Sequence, residues 1–260
     1  MTLEHELSGK RVLLVGATGV LGSAYSKALS ESNCSLCIAD RPGSRVLSLG
    51  KTLGCSAVEM DVTIEESVRS GVSQAIESLE GLDAVVNNAA ATSEGLRDSA
   101  NIFESFENYP LDLWKYALDV NLTGSFLVAR ESAEELKKSK GVLINVSSIY
   151  GLVGPDHRMY ENQSFASFPA YSASKSGILG FTRWLATWWG KDGVRVNCIT
   201  PGGIFNDHNE AFQTAYANKT PLGRMGNSDD LIGILFFLIS DRSSYCTGQN
   251  FIVDGGFTAW

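Results

Sequence analysis

The sequence predicts an α/β protein built on a parallel, doubly wound sheet in one domain. Three observations carry that expectation. Short apolar runs alternate with longer helical segments along the 260 residues, as in strands joined by crossover helices. The first run leads straight into a turn with glycines at Gly16, Gly19 and Gly22. Polar residues stand at the ends of several runs, at Asp40, Asp61, Asn87 and Ser147, where an open parallel sheet binds its ligands.

Arg11–Val15 is short and apolar, as a strand buried on both faces must be. Gly16, Ala17, Thr18, Gly19, Val20, Leu21 and Gly22 form the turn, and 23–30 reads as a helix. The order strand, glycine turn, helix is the context in which such glycines carry information. They let backbone N–H groups approach a pyrophosphate, and the helix N-terminus favours its charge. An ordinary tight turn would use the same glycines, so the residues downstream decide between the two.

The second strand, 35–39, ends at Asp40, 18 residues past Gly22. A carboxylate at this tip accepts both hydroxyls of an adenosine ribose and repels a 2′-phosphate. Arg41 beside it works the other way, since a guanidinium pairs with phosphate. The expected cofactor is NAD, with NADP possible. A third strand at 57–60 runs into Asp61 and Val62. Glu65–Leu79 reads as a helix and 83–86 as the fourth strand, followed by Asn87, Asn88, Ala89 and Ala90.

Residues 92–110 form a long polar connection of the kind that borders a site. Residues 111–136 read as one long helix, with Asn121 in apolar surroundings. An amide there can also serve only to satisfy a backbone group. Val142–Val146 is the fifth strand, with Ser147 and Ser148 at its end, and 151–168 is irregular. The helix at 170–189 carries Tyr171 and Lys175 four residues apart, hence on one face. A free tyrosine titrates near ~10, and a neighbouring ammonium lowers that value by favouring the phenolate. Such a pair can move protons near neutrality. As a mere surface pair it would contribute only about 0.2–0.5 kcal/mol. The sixth strand, 195–199, precedes Pro201, Gly202, Gly203 and Ile204. Residues 206–219 read as a lid, 231–239 as a very apolar helix and Asn250–Val253 as the last strand.

With 44% hydrophobic and 19% charged residues the chain can bury a large core. A net charge of -8 argues against a nucleic-acid partner, which would need a basic surface. The first ten residues lack the basic start and apolar run of a signal peptide. No apolar run reaches the ~18 residues of a membrane span, so a cytoplasmic protein is expected. Five cysteines are scattered along the chain. Cys34 and Cys37 would point to opposite faces of a strand, and no second pair follows them. Free thiols are expected rather than a metal site.

Gly16-x-x-Gly19-x-x-Gly22, Asn87-Asn88-Ala89, Asn121, Ser148, Tyr171-x-x-x-Lys175 and Pro201-Gly202 occur in this order. Together they resemble the short-chain dehydrogenase/reductase family over essentially the whole chain. The resemblance implies a Rossmann-type fold of three layers around seven parallel strands. A cofactor half would span roughly 1–145, and a catalytic and substrate half 146–260. It implies that Tyr171 is the acid/base, that Lys175 lowers its pKa and holds the nicotinamide ribose, and that Ser148 orients the substrate oxygen. Asn121 would extend the proton relay through a water. The cofactor would lie along Gly16, Thr18, Gly19, Val20, Leu21 and Gly22, with Asp40 and Arg41. Asp61 and Val62 would meet the adenine, and Asn88, Ala89 and Ala90 the adenosine side. Pro201, Gly202 and Ile204 would lie against the nicotinamide. A homo-oligomer, dimer or tetramer, is implied as well, paired through the helix at 170–189.

Three departures stand out. The middle glycine comes one residue early, Ala90 replaces the family's usual glycine, and Ser148 and Tyr171 are 23 residues apart, more than is usual. The inserted segment, with Tyr150, Pro155 and Tyr160-Glu161-Asn162, is similar to oxidoreductases of flagellin modification, which are associated with nonulosonic sugars such as legionaminic acid. That likeness implies a small sugar or sugar phosphate as substrate. Tyr150, His157, Arg158, Tyr160 and Glu161 would then bind it beside Ser148, with Arg158 on a phosphate or carboxylate. A 3-oxoacyl thioester on a carrier protein is the alternative substrate. A dinucleotide-binding regulatory module without turnover is the alternative of another class.

Overall fold

The structure is a computed structural model that describes residues 7–92, 106–161 and 166–260. Seven strands form one sheet: β1 (Arg11–Val15), β2 (Ser35–Asp40), β3 (Ser56–Glu59), β4 (Ala84–Asn87), β5 (Val142–Val146), β6 (Arg195–Pro201) and β7 (Asn250–Val253). Their order is β3-β2-β1-β4-β5-β6-β7, and every pairing is parallel. The order reverses between β1 and β4, which opens a crevice at their carboxyl ends.

Alternate residues of the central strands feed two cores. Leu13, Val15, Val85 and Leu143 face one layer. Val12, Leu14, Val86 and Ile144 face the other. A strand buried on both faces needs apolar residues at every position, which is why these runs stand out in the sequence. Helices α1 (Val20–Ser30), α2 (Val46–Leu53) and α8 (Ile232–Ile239) cover the second face. The first face is covered by α3 (Glu65–Leu79), α4 (Leu111–Leu118), α5 (Gly124–Ser139) and α6 (Pro169–Trp189).

Several elements differ from the sequence reading. The single helix expected over 111–136 is α4 and α5 joined by a π-helical turn, Asp119–Thr123. The wider turn carries Asn121, and π-helical turns of this kind collect at functional sites. α2 was not expected; only Val46 and Gly50 are buried along it. The segment read as a lid contains α7 (Glu210–Ala217), capped by the Asn209 side chain, with Phe212 and Tyr216 buried. Cys34 precedes β2, while Cys37 lies buried within it, and all five cysteines are free. Burial pushes the thiols of Cys37 and Cys198 up to about 11, so both are unreactive near neutrality. No helix among the described residues is long and apolar enough to cross a membrane.

Candidate active site

A cavity of about 650 Å³ opens along the carboxyl ends of the strands. The turn after β1 forms one wall. Gly16 has φ +81, and a Cβ there would overlap the backbone of Asn88 and Ala89. A Cβ on Gly22 would overlap the backbone of Gly16 and Ala17. These two glycines serve the packing of turn, strand and helix. Gly19 is different: among the described residues nothing lies within 4 Å of the place its Cβ would occupy. It is the N-cap of α1, it offers no side-chain cap, and the first turn of the helix holds no acid. The uncapped N–H groups of α1 therefore face open space beside a positive helix end. That is the cradle a pyrophosphate requires.

Asp40 closes the next part of the wall. Its carboxylate accepts from the Thr18 N–H at 2.8 Å and the Thr18 hydroxyl at 2.7 Å, and its other oxygen accepts from the Arg41 N–H at 2.8 Å. The glycine turn is thus tied to the tip of β2. Asp61 accepts from the N–H and hydroxyl of Thr63, and Val62 packs against Gly124. Asn88 donates to the Gly16 carbonyl at 2.8 Å, pinning the turn after β4 to the turn after β1. Ala89 and Ala90 line the cavity beside them.

The other end of the cavity is set by β5 and α6. Lys175 is buried, and its Nζ donates to the Val146 carbonyl at 2.8 Å. Burial lowers its pKa to about 8. The same Nζ lies 5.7 Å from the centre of the Tyr171 ring. Ser147 fixes α6 against β5 by donating to the Lys175 carbonyl at 2.7 Å. Ser148 caps the helical turn Ile149–Gly151, accepting from the Tyr150 N–H at 3.2 Å. Ser148, Tyr171 and Lys175 all line the cavity, together with Pro201, Gly202 and Ile204 from the end of β6.

Asn121 stands behind this wall and not in it. Its Oδ1 accepts from the Ala91 N–H at 2.7 Å, and its Nδ2 donates to Ser174 Oγ at 2.9 Å. The amide thus satisfies the backbone of Ala91 after β4.

The substrate residues divide. Ser148, Tyr150 and Tyr160 line the cavity; His157, Arg158 and Glu161 do not. Those three are exposed. Arg158 turns back onto Asp156, with N–O distances of 2.9 and 2.7 Å, and Lys219 joins the same carboxylate. The guanidinium is held outside the cavity by an acid two residues upstream. Asn162 and Gln163, also candidates from the sequence, lie outside the described residues.

Sequence reasoning missed a set of cavity residues. Phe168 precedes α6 and packs 5.6 Å from the Tyr171 ring. Tyr116, Asn206, His208, Phe212, Tyr216 and Met225 line the cavity as well. Tyr216 accepts a hydrogen bond from the Gly203 N–H at 2.5 Å, locking the chain after β6. The signal was available in part, because Phe212 and Tyr216 are four apart behind an Asn cap.

Known proteins resemble this chain over nearly its whole length. The family profile described as enoyl-(acyl carrier protein) reductase matches residues 16–258. A 3-oxoacyl-(acyl-carrier-protein) reductase of Aquifex aeolicus is 30% identical over 98% of this chain and 99% of its own. The post-translational flagellin modification protein A of Campylobacter coli is 30% identical over 96% of this chain and 99% of its own. The likeness to the flagellin protein is therefore no greater than that to the acyl reductase. Among solved structures, a short-chain dehydrogenase of Leptospira borgpetersenii with bound NAD+ superposes with a TM-score of 0.86. It is 33% identical, over 99% of this chain and 96% of that one.

Proposed function

The chain belongs to the short-chain dehydrogenase/reductase family, and on that premise we propose that it is a cytoplasmic, NAD-dependent enzyme interconverting a secondary alcohol and a ketone on a small, carbohydrate-like molecule. One observation carries the reading. A single cavity joins an uncapped helix N-terminus behind Gly19 to Ser148, Tyr171 and Lys175. Gly19, Asp40, Asp61, Asn88 and the turn after β6 would hold the dinucleotide, which supplies or accepts the hydride when bound. Tyr171 holds the hydroxyl proton or gives it back. Lys175 carries positive charge at neutral pH, being lowered only to about 8, and favours the phenolate beside it. Ser148 orients the substrate oxygen. Asn121, which fixes the backbone of Ala91, extends the proton relay from Lys175 through a water. A binding module without turnover would not need these groups together.

The test is absorbance at 340 nm with NAD+ and a panel of alcohols, and with NADH and the matching ketones. Similarity to the Aquifex reductase supports a second reading, a 3-oxoacyl thioester, which the same assay covers with acetoacetyl-coenzyme A.

Cofactor choice rests on Asp40. Its carboxylate faces the place of the ribose and repels a 2′-phosphate, while Arg41 beside it is exposed. NADH is expected to bind more tightly than NADPH, by about tenfold or more, and Asp40→Ala is expected to narrow the gap. Titration of protein fluorescence with both cofactors measures this, and tighter binding of NADPH by the parent would reverse the assignment.

The assembly rests on α6. Ile178, Leu179, Leu185 and Trp189 are buried within the chain, but Trp184 and Trp188 are 58% and 56% exposed and stack 5.5 Å apart. Phe126 on α5 is 45% exposed and meets Phe181 edge-on. Two adjacent helices with such a face fit a two-fold pairing of copies. Light scattering at micromolar concentration is expected to give a dimer or tetramer, and Trp188→Glu a smaller species. A monomeric parent would contradict the pairing.

A further inference from the structure

The Tyr171 end of the cavity has a composition of its own. Tyr150, two residues past Ser148, and Tyr160, from the inserted segment, bring their hydroxyls to 2.6 Å. The Tyr160 ring packs 5.5 Å from Phe212 at 53°. Phe212 in turn stacks on His208 at 4.9 Å. Both tyrosines and Phe212 line the same cavity as Ser148, Tyr171 and Lys175. The wall is thus made of aromatic faces with one pair of phenol hydroxyls set into it.

Among the described cavity residues the acids and bases lie mostly elsewhere; the wall itself holds one imidazole, His208, whose Nδ1 accepts from the Asn206 N–H at 3.1 Å. Among the described residues that line the cavity, Asp40, Arg41 and Asp61 sit at the ends of β2 and β3, where the adenosine would lie. Lys175 is bound to the Val146 carbonyl. The cations nearest the insert, Arg158 and Lys219, both pair with Asp156 outside the cavity. A phosphate or carboxylate taken from water into this wall would find, among the described residues, no lysine or arginine beyond Lys175 to pair with, and a poorly paired buried anion is costly. Apolar ring faces with a few fixed hydroxyls instead suit a compact neutral ring.

We propose that Tyr150 and Tyr160 form a hydroxyl-reading pair within an aromatic subsite, and that the substrate is an uncharged cyclic alcohol bearing a second hydroxyl, not a sugar phosphate. This rests on the dehydrogenase reading above and narrows its substrate. The ring lies with its C–H face on the Phe212 side. One hydroxyl meets Ser148 and Tyr171, and another meets the phenol pair.

The test compares kcat/KM with NAD+ for the isomeric cyclohexanediols and myo-inositol, for cyclohexanol, and for two anionic rings, myo-inositol 1-phosphate and 4-hydroxycyclohexanecarboxylate. NADH binding is titrated in parallel. The expected result is a preference of at least about tenfold for a neutral diol or inositol over the anions, the scale of one well-made hydrogen bond. In Tyr150→Phe and Tyr160→Phe the ratio of diol to cyclohexanol turnover is expected to fall about tenfold. Equal or better turnover of either anion overturns the inference and leaves the dehydrogenase reading standing. So does an unchanged ratio in both variants. So does the absence of turnover on every ring alcohol when acetoacetyl-coenzyme A is reduced. Failure to bind NADH overturns the dehydrogenase reading, and the inference with it.

Discussion

Tyr171→Phe is expected to lower kcat by roughly 10²–10⁴-fold, the range of a lost general acid/base, while NADH affinity stays near that of the parent. The variant keeps the ring that packs on Phe168 and removes only the oxygen. The helix also keeps its anchor, because α6 is fixed through Lys175 and Ser147. A loss confined to kcat, with KM nearly unchanged, is the signature of an interaction made in the transition state. Stopped-flow reading at 340 nm measures it. Turnover within tenfold of the parent would remove Tyr171 from the chemistry.

Gly19→Val is expected to abolish NADH binding, raising Kd by at least about 100-fold, without unfolding the protein. The backbone at Gly19 has φ -69 and ψ 179, extended geometry that a β-branched residue adopts freely. No atom of the described residues stands within 4 Å of its Cβ position, so the fold has no reason to object. The added methyls would fill the space in front of the α1 N–H groups. Gly16→Val behaves differently, since φ +81 and overlap with Asn88 and Ala89 strain the fold itself. Circular dichroism melts beside NADH titrations separate the two. A Gly19→Val protein that binds NADH like the parent would show that the pyrophosphate lies elsewhere.

The central strands were legible because they are buried on both faces and so read as mostly apolar runs. Leu13 and Leu14 serve opposite layers yet look alike in sequence. The glycine turn, Asp40 and the Tyr171–Lys175 pair were legible because each is local: a few residues of spacing specify the geometry. Helix α2 was not, since only Val46 and Gly50 along it are buried and it follows Pro42 and Gly43, which read as a turn. The place of Arg158 outside the cavity was hidden for a related reason. Nothing in its side chain says that Asp156 will claim it before a ligand can. The Tyr150–Tyr160 contact joins residues ten apart on irregular backbone, where no periodicity exists to predict a pair. Asn121 was found as a residue, but its bonds to Ala91 and Ser174 depend on the π-helical turn, which the apolar pattern does not encode.

The central claim is that this cavity moves a hydride between a substrate carbon and a nicotinamide while Tyr171 moves the proton. The most direct test is isotope transfer. The parent enzyme is incubated with NAD+ and cyclohexanediols deuterated at the carbinol carbons, and the reduced cofactor is analysed by mass spectrometry. The account predicts deuterium on the nicotinamide ring of the NADH formed, with none lost to solvent, and no labelled cofactor from Tyr171→Phe in the same time. Reduced cofactor without deuterium, or labelled cofactor formed equally well by Tyr171→Phe, would contradict it.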